Sequence, residues 1–316
     1  MKTIIQIIFF IFFISILAKG KELNEVDILF PSKEEANKLL VQEDEYLKNL
    51  SKFDIDSRMQ KNNSTKEEFK EYIQNETLEW NESEKQTIKS IIIELSKVMI
   101  ENSYKLNFPN EVIFIKSTCK NEGYAMGYTR ANFIVLKNGI YNNNKQLEHL
   151  VLHELFHILS RSNPKFREDI YKLIGFNIMP SISYPKEIFD YKISNPDATQ
   201  TDSYINLIVD GEEKECMMVM YANRDYEGGI FFEYLNLGFL ALTGDKEKQI
   251  AYKDNSPIIY DFEEVEGFFE QIGMNTQYII NPEEIAAENF ALAILGNEEL
   301  PNQEIIDNIK LLLKGD

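Results

Sequence analysis

The chain has 316 residues, a formal net charge of −19 and a hydrophobic fraction of 44%. That fraction is too high for a disordered chain and supplies enough apolar residues for one large core or two modest ones. A strongly negative surface repels phosphate backbones, so we expect no nucleic-acid partner. The two cysteines, Cys119 and Cys216, are too few for a disulfide scaffold or a four-cysteine zinc module.

The first twenty residues have the pattern of a secretory signal. Lys2 precedes an apolar run over residues 3–17, and small residues stand at 18 and 20, as at a signal-peptidase site. The run is short for a membrane span, although an uncleaved anchor is the alternative. We predict cleavage near Gly20, a secreted or periplasmic protein, and no stable membrane insertion afterwards. Export would permit a disulfide between Cys119 and Cys216, although two free buried thiols are equally expected.

Residues 21–105 have the pattern of charged helices. Ser32 and Thr65 each precede Lys-Glu-Glu, which is typical of a capping box at a helix start. Apolar residues at helical spacing then predict a longer helix over 82–104. From residue 106 the sequence pattern changes from helical to extended. β-branched and aromatic residues predict strands at 111–116 and 131–136.

The remainder of the chain alternates between helical and strand patterns. A hairpin is predicted over 204–221, and residues 229–242 are apolar but of ambiguous type. Helices are predicted at 147–160, 164–174, 261–272, 282–295 and 303–313. Helices, a small sheet, a central helix and a final mixed and helical part together predict an α+β fold in two lobes.

One short motif carries chemistry: His153-Glu154-Leu155-Phe156-His157 lies inside the apolar helix at 147–160. Positions i and i+4 share one helix face, so both imidazoles can reach a single zinc ion. Glu154 lies beside that metal and can take a proton from its water molecule. We expect His149, one turn earlier, to pack near the site or to support a ligand rather than to bind the metal.

A catalytic zinc site needs a third protein ligand, and no further histidine remains for it. The best carboxylates lie in the predicted helix at 282–295, which contains Glu283, Glu284 and Glu288. An ordinary helix start also favours Glu283 and Glu284. Glu288 lies among apolar residues and is harder to explain in that way.

These two segments, HELFH at 153–157 and EEIAAENFA at 283–291, resemble gluzincin zinc metallopeptidases of the thermolysin-like and anthrax lethal factor types. The resemblance implies a zincin-like catalytic domain with a small mixed sheet and an active-site helix. It also implies that Glu284 is the third ligand and that Glu288 orients a ligand histidine. In the register of gluzincin aminopeptidases, Glu288 would be the ligand instead. The run from His153 to Pro164 also resembles bacterial secreted proteins of unknown function.

The resemblance leads to an expected domain organisation. Residues 1–20 would be the signal, 21–105 a helical N-terminal region and 106–316 the zincin-like domain. Because Glu284 lies far beyond His157 in the sequence, we expect a large insertion at about 180–255. The N-terminal region is either part of the enzyme or a cleaved or inhibitory segment.

The expected function is hydrolysis of peptide bonds in a peptide or protein substrate, with one Zn²⁺ and Glu154 as general base. Tyr278 is the predicted oxyanion stabiliser, because a tyrosine shortly before the ligand Glu resembles the lethal factor arrangement, and Tyr260 is the weaker candidate. The strand at 131–136 is the expected edge strand for pairing with an extended substrate. Residues 195–197 (Asn-Pro-Asp) predict a turn, with a functional role left open.

Two other functions remain open from the sequence. One is a zincin-fold binding or adhesion protein without turnover, and the other is a metallohydrolase that acts on non-peptide amides. The intact Glu154 argues against the first, because a purely structural metal does not need that carboxylate.

Overall fold

A computed structural model describes residues 20–141, 144–245, 247–296 and 299–315. The predicted signal lies outside the described residues except for Gly20. Among the helices that are described, none is long and apolar enough to cross a membrane. Helices and small sheets together confirm the predicted α+β class, with a helical C-terminal region.

The N-terminal region is mostly helical, as predicted. Capping boxes at Ser32 and Thr65 start two of its helices, and Ser51 and Asn81 start two more in the same way. In each box a side-chain oxygen accepts from the backbone of the third helical residue, which satisfies an otherwise unpaired amide. The five helices are α1 (Lys33–Leu40), α2 (Glu45–Lys48), α3 (Lys52–Met59), α4 (Lys66–Glu76) and α5 (Glu82–Glu101).

The first sheet is mixed and joins the N-terminal region to the chain beyond residue 105. Its strands are β1 (Asp27–Leu29), β2 (Thr77–Leu78), β3 (Glu111–Ser117), β4 (Gly127–Arg130) and β5 (Phe133–Lys137). β1 and β5 pair in parallel with β3, β2 pairs antiparallel with β3, and β4 pairs antiparallel with β5. Two strands of the N-terminal region therefore belong to the same sheet as β3.

The expectation that the strand at 131–136 forms the sheet edge is wrong. That strand is β5, and it lies between β3 and β4. The edge is β4, which precedes β5 and reaches it through a tight turn with Ala131 in the left-handed region (φ 47°). A four-residue strand beginning with glycine gives a pattern that does not distinguish a strand from a turn.

Two helices follow the first sheet: α6 (Asn144–Ser162) and α7 (Pro164–Leu173). α6 carries the histidine motif, and its residues from Val151 to Ser160 are all buried. Asn163 separates the two helices, and Pro164 begins α7 at a position where a missing N–H is harmless.

A second, antiparallel sheet occupies most of the predicted insertion. It comprises β6 (Phe176–Ile178), β7 (Ser203–Val209), β8 (Glu212–Tyr221), β9 (Asn236–Thr243) and β10 (Gln249–Ile250). The predicted hairpin at 204–221 is β7 and β8, and the ambiguous segment at 229–242 is a 3-10 turn followed by β9. The short helix α8 (Lys186–Phe189), the pair β11 (Tyr252–Lys253) and β12 (Ser256–Pro257), and β13 (Ile259–Tyr260), which pairs with β9, complete this part.

The helix predicted at 261–272 is wrong over most of its length. Only a 3-10 turn (Phe262–Glu264) and the short helix α9 (Phe268–Ile272) form. Between them the backbone is extended and Glu266 bridges to Ile208 of β7. The chain then ends in α10 (Pro282–Leu295) and α11 (Gln303–Lys314), close to the predicted bounds.

The largest apolar core lies between α5, α6, α10, α11 and the two sheets. Cys216 belongs to this core, whereas Cys119 belongs to a smaller one beneath α1 and α4. Both thiols are free and buried, so the alternative of two free thiols holds and the disulfide does not form.

Candidate metal centre

Helices α6 and α10 pack closely, and this contact brings the predicted site residues together. The Phe156 ring of α6 lies 5.2 Å from that of Phe290 on α10. Small side chains on α10 allow the close approach, because a methyl group occupies little space between two backbones. The small residues in question, all fully buried, are Ala286, Ala287 and Ala291.

His153, His157 and Glu284 meet at one point between the two helices. Nε2 of His153 lies 2.9 Å from Oε2 of Glu284, and Nε2 of His157 lies 3.6 Å from the same oxygen. One ligand atom from each residue lies within 4.8 Å of the other two. This separation fits three ligands of a tetrahedral zinc ion, whose bonds to nitrogen and oxygen are about 2.0–2.2 Å long.

Each imidazole is held from behind by a carboxylate of α10. Nδ1 of His153 lies 2.8 Å from Oε1 of Glu288, and Nδ1 of His157 lies 3.2 Å from Oε1 of Glu283. A hydrogen bond at Nδ1 leaves Nε2 as the atom that faces a metal. Both rings therefore present Nε2 to the same space.

The strongest sign of an intended cation is Nε2 of His157. It is buried and has no hydrogen-bond partner among the described residues, because Oε2 of Glu284, at 3.6 Å, lies just beyond hydrogen-bond range. An unpaired buried polar atom costs free energy. A metal ion between His153, His157 and Glu284 would give this nitrogen a partner, so these residues fit zinc.

The electrostatics of the centre favour positive charge. Burial alone would raise the pKa of Glu284, but the neighbouring His157 and His153 hold it well below its usual range. Burial alone would lower the pKa of His153, but its hydrogen bonds to Glu284 and Glu288 raise it to about 10. The surplus of carboxylates thus stabilises cations between the helices, whether protons on the imidazoles or a divalent metal ion.

Glu154 lies beside this centre and is held against the edge strand β4. The hydroxyl of Thr129 donates to Oε2 of Glu154 at 2.7 Å. On the other side of the carboxylate, a Cβ on Gly127 would come within 2.7 Å of Oε1, so a larger residue there would displace the Glu154 carboxylate. Burial, partly offset by His157 and His153, raises the pKa of Glu154, as suits a proton acceptor that must work near neutral pH.

The other predicted residues take distinct positions. Glu288 contacts Nδ1 of His153 through its Oε1. The same oxygen lies 3.2 Å from Nε2 of His149. The structure therefore brings Glu284, and not Glu288, next to Nε2 of both motif histidines, and it brings His149 next to Glu288. The half-exposed Tyr278 lies over His153, with 6.1 Å between ring centroids, whereas Tyr260 pairs with Phe239 in the second sheet.

Several residues of the site were missed by sequence reasoning. Glu283 was interpreted as an ordinary helix-start acid, yet it also accepts hydrogen bonds from Ser160 and, at 2.6 Å, from the Tyr171 hydroxyl. Gly127 and Thr129 gave no signal, because their contact with Glu154 depends on how β4 is placed in the sheet.

The turn predicted at 195–197 lies at the centre itself. The amide of Asn195 donates to Oε1 of Glu284, and the backbone N–H of Asp197 closes the turn on Oδ1 of Asn195 at 3.0 Å. A carboxylate oxygen of Asp197 lies within 4.8 Å of both Glu154 and His157. The Asn-Pro-Asp pattern was the one signal in the sequence that could have located this contact.

No family model matches the chain, and no curated protein or solved structure matches it at a significant level. The geometry of the site is therefore the basis on which a function can be assigned.

Proposed function

We propose that this protein is a zinc-dependent metallopeptidase of the zincin type in which His153, His157 and Glu284 hold one zinc ion. The observation that carries the proposal is the unpartnered, buried Nε2 of His157, directed at Glu284 with Glu154 alongside. The buried carboxylate of Glu154, next to two imidazoles, is costly in a purely structural role. Hydrolysis by an activated water requires such a carboxylate.

The chain's own residues divide the chemistry among them. Zinc would supply Lewis acidity, which polarises the scissile carbonyl and lowers the pKa of a water molecule. Glu154 takes a proton from the attacking water and delivers it to the departing amine nitrogen. Tyr278 lies over His153, where its hydroxyl can stabilise the developing oxyanion. Glu283 and Glu288 keep the imidazoles oriented.

The edge strand supports a peptide as the substrate. β4 is short, lies at the end of its sheet and directs the backbone N–H of Thr129 away from β5. An extended peptide can pair with such an edge through main-chain hydrogen bonds. Glu154 touches the same strand through Thr129, so a paired peptide would lie beside the general base.

The test combines zinc analysis with cleavage of a peptide library, followed by mass spectrometry. We expect about one zinc per chain in the wild type and in Glu154→Gln. We also expect the variant to lose about 10²- to 10⁴-fold in kcat/KM, the usual contribution of a general base. Glu148→Gln, a partly exposed glutamate on the same helix, is the matched control and should keep its activity.

Two outcomes would contradict the proposal. A folded protein that takes up no zinc would refute the metal centre. A zinc-loaded protein that cleaves no peptide, or one that Glu154→Gln leaves fully active, would refute peptide hydrolysis by this route and favour a binding protein.

A further inference from the structure

The backbone edge that a peptide would use is already occupied by the chain itself. Oδ1 of Asp197 accepts the outward N–H of Thr129. The guanidinium of Arg161, one turn after His157 on α6, donates to the carbonyl of Asp197 at 3.1 Å. A side chain from the second sheet's loop thus takes the place of a substrate carbonyl on β4.

The same turn also contacts the residues of the proposed metal centre. The Asn195 amide donates to Oε1 of Glu284, the oxygen that does not face the imidazoles. The Asp197 carboxylate lies close to Glu154 and His157. Residues 194–197, named here the latch, therefore cover both the proposed general base and the proposed ligand set.

The base of the latch is firmly anchored. Both the backbone N–H and the hydroxyl of Ser194 donate to the fully buried carboxylate of Asp54 at 2.8 Å. Lys192 contacts the same carboxylate at 3.2 Å. Helix α3 of the N-terminal region thus fixes the point from which the latch extends.

The tip of the latch borders irregular chain and open space. Residues 198–202, which follow the latch, form no helix or strand. Cavities of about 660 and 380 Å³ are lined by the latch and the residues after it, so the tip has space to move without disturbing a packed core.

We propose that residues 194–197 form an autoinhibitory latch, in which Asp197 occupies the peptide-binding edge of β4 and a substrate must displace it to reach Glu154. The inference rests on the proposed peptidase function for its consequence on turnover. Occupation of the strand edge can be tested separately.

The experiment compares wild type, Asp197→Ala and Asp197→Asn in the full-length protein. Alanine removes the acceptor of the Thr129 amide, whereas asparagine keeps an acceptor oxygen of the same reach. Asp197→Ser, whose hydroxyl is too short to reach the amide, is a second releasing variant should the alanine variant fail to fold. As a control, Asp190→Ala removes an exposed carboxylate of the same inserted part, which pairs with Lys186.

Two readouts are measured on each variant. The first is amide hydrogen exchange of Thr129, with the Val135 amide of β5 as internal reference; it needs neither zinc nor turnover. The second is kcat/KM for a peptide cleaved from the library, with zinc content determined in parallel. We expect the Thr129 amide to exchange at least tenfold faster in Asp197→Ala and Asp197→Ser than in the wild type. We also expect kcat/KM for the peptide to be at least tenfold higher in these two variants. Asp197→Asn should keep the slow Thr129 exchange of the wild type, and Asp190→Ala should match the wild type in both readouts.

The outcomes separate this inference from the proposed function. Equal Thr129 exchange in wild type and Asp197→Ala would overturn the latch, and so would slower hydrolysis in a zinc-loaded Asp197→Ala, because Asp197 would then assist the reaction. If no protein takes up zinc and the Thr129 amide exchanges rapidly only in the releasing variants, the peptidase proposal fails. Occupation of the β4 edge by Asp197 is then still supported.

Discussion

Two buried charged clusters contact the latch, and they differ in how their charges are matched. The balanced cluster contains Asp54, Arg58, Glu122 and Lys192, two acids and two bases. Arg58 donates to Asp54 at 2.8 Å and to Glu122 at 3.0 Å. In this cluster every charged side chain has a partner of opposite charge.

The metal centre has a different composition. Four carboxylates, two imidazoles and one nearby guanidinium meet there, and one imidazole nitrogen lacks a partner. These residues are Glu154, Glu283, Glu284, Glu288, His153, His157 and Arg167.

This difference distinguishes a structural cluster of buried charges from a functional one. The balanced cluster is complete with protein atoms alone, and its effect is to join α3 to the base of the latch. In the proposed metal centre, a bound cation would give Nε2 of His157 the partner that it lacks among the described residues. A buried cluster with surplus charge of one sign and an unpaired ligand atom indicates a site.

The largest effect is expected from Arg58→Met, which breaks the balanced cluster. The substitution leaves the buried Glu122 without a base and Asp54 with Lys192 alone. Loss of one partner of a buried pair costs about 3–5 kcal/mol in the free energy of unfolding. Urea unfolding followed by circular dichroism measures it, and the loss should be the same with zinc and with chelator.

Lys38→Met is the matched control, because Lys38 pairs with Glu34 on the surface. It should leave the urea midpoint unchanged, since exposed pairs contribute little. An Arg58→Met protein as stable as wild type would show that the balanced cluster is not structural.

Removal of zinc should affect only the metal centre. At free zinc one hundred times its dissociation constant, binding to the folded state adds about 2.7 kcal/mol to the free energy of unfolding. EDTA should abolish this increment in wild type. His157→Ala should lack it from the start, and His149→Ala should retain it, because His149 faces Glu288 and not the ligand atoms. An increment that persists in His157→Ala would place the metal elsewhere.

Local signals in the sequence predicted much of the fold. Capping boxes marked the starts of α1 and α4, and Pro282 marked the start of α10. The segment at 261–272 failed because Phe262, Val265 and Phe269 have the i, i+3, i+7 spacing of a helix. The rings of Phe262 and Phe268 instead pack on Phe239 of the second sheet, a tertiary contact that overrides the local pattern.

The residues of the candidate site also fall into those that local sequence patterns predict and those that only tertiary structure brings together. His153, Glu154 and His157 could be predicted because their contact follows from helix geometry alone. Choosing Glu284 needed a resemblance to a known family, because it lies more than a hundred residues from the motif. Thr129 meets Glu154 only through the pairing of β4 with β5, and no local pattern encodes that placement.

The smallest expected effect concerns the balanced cluster and the free energy of unfolding at acidic pH. Burial would raise the pKa of Asp54, but Lys192, Arg58 and backbone N–H groups lower it from 3.8 to about 2. A depressed pKa in the folded state stabilises the protein above pH 4, and the effect is lost as the pH falls towards 2. The size of the shift corresponds to about 2 kcal/mol. Urea unfolding in EDTA between pH 5 and pH 2 should show that loss in wild type and not in Asp54→Asn. Titrations common to both proteins cancel in the difference, so parallel pH profiles would mean that the folded protein does not hold Asp54 as an ion.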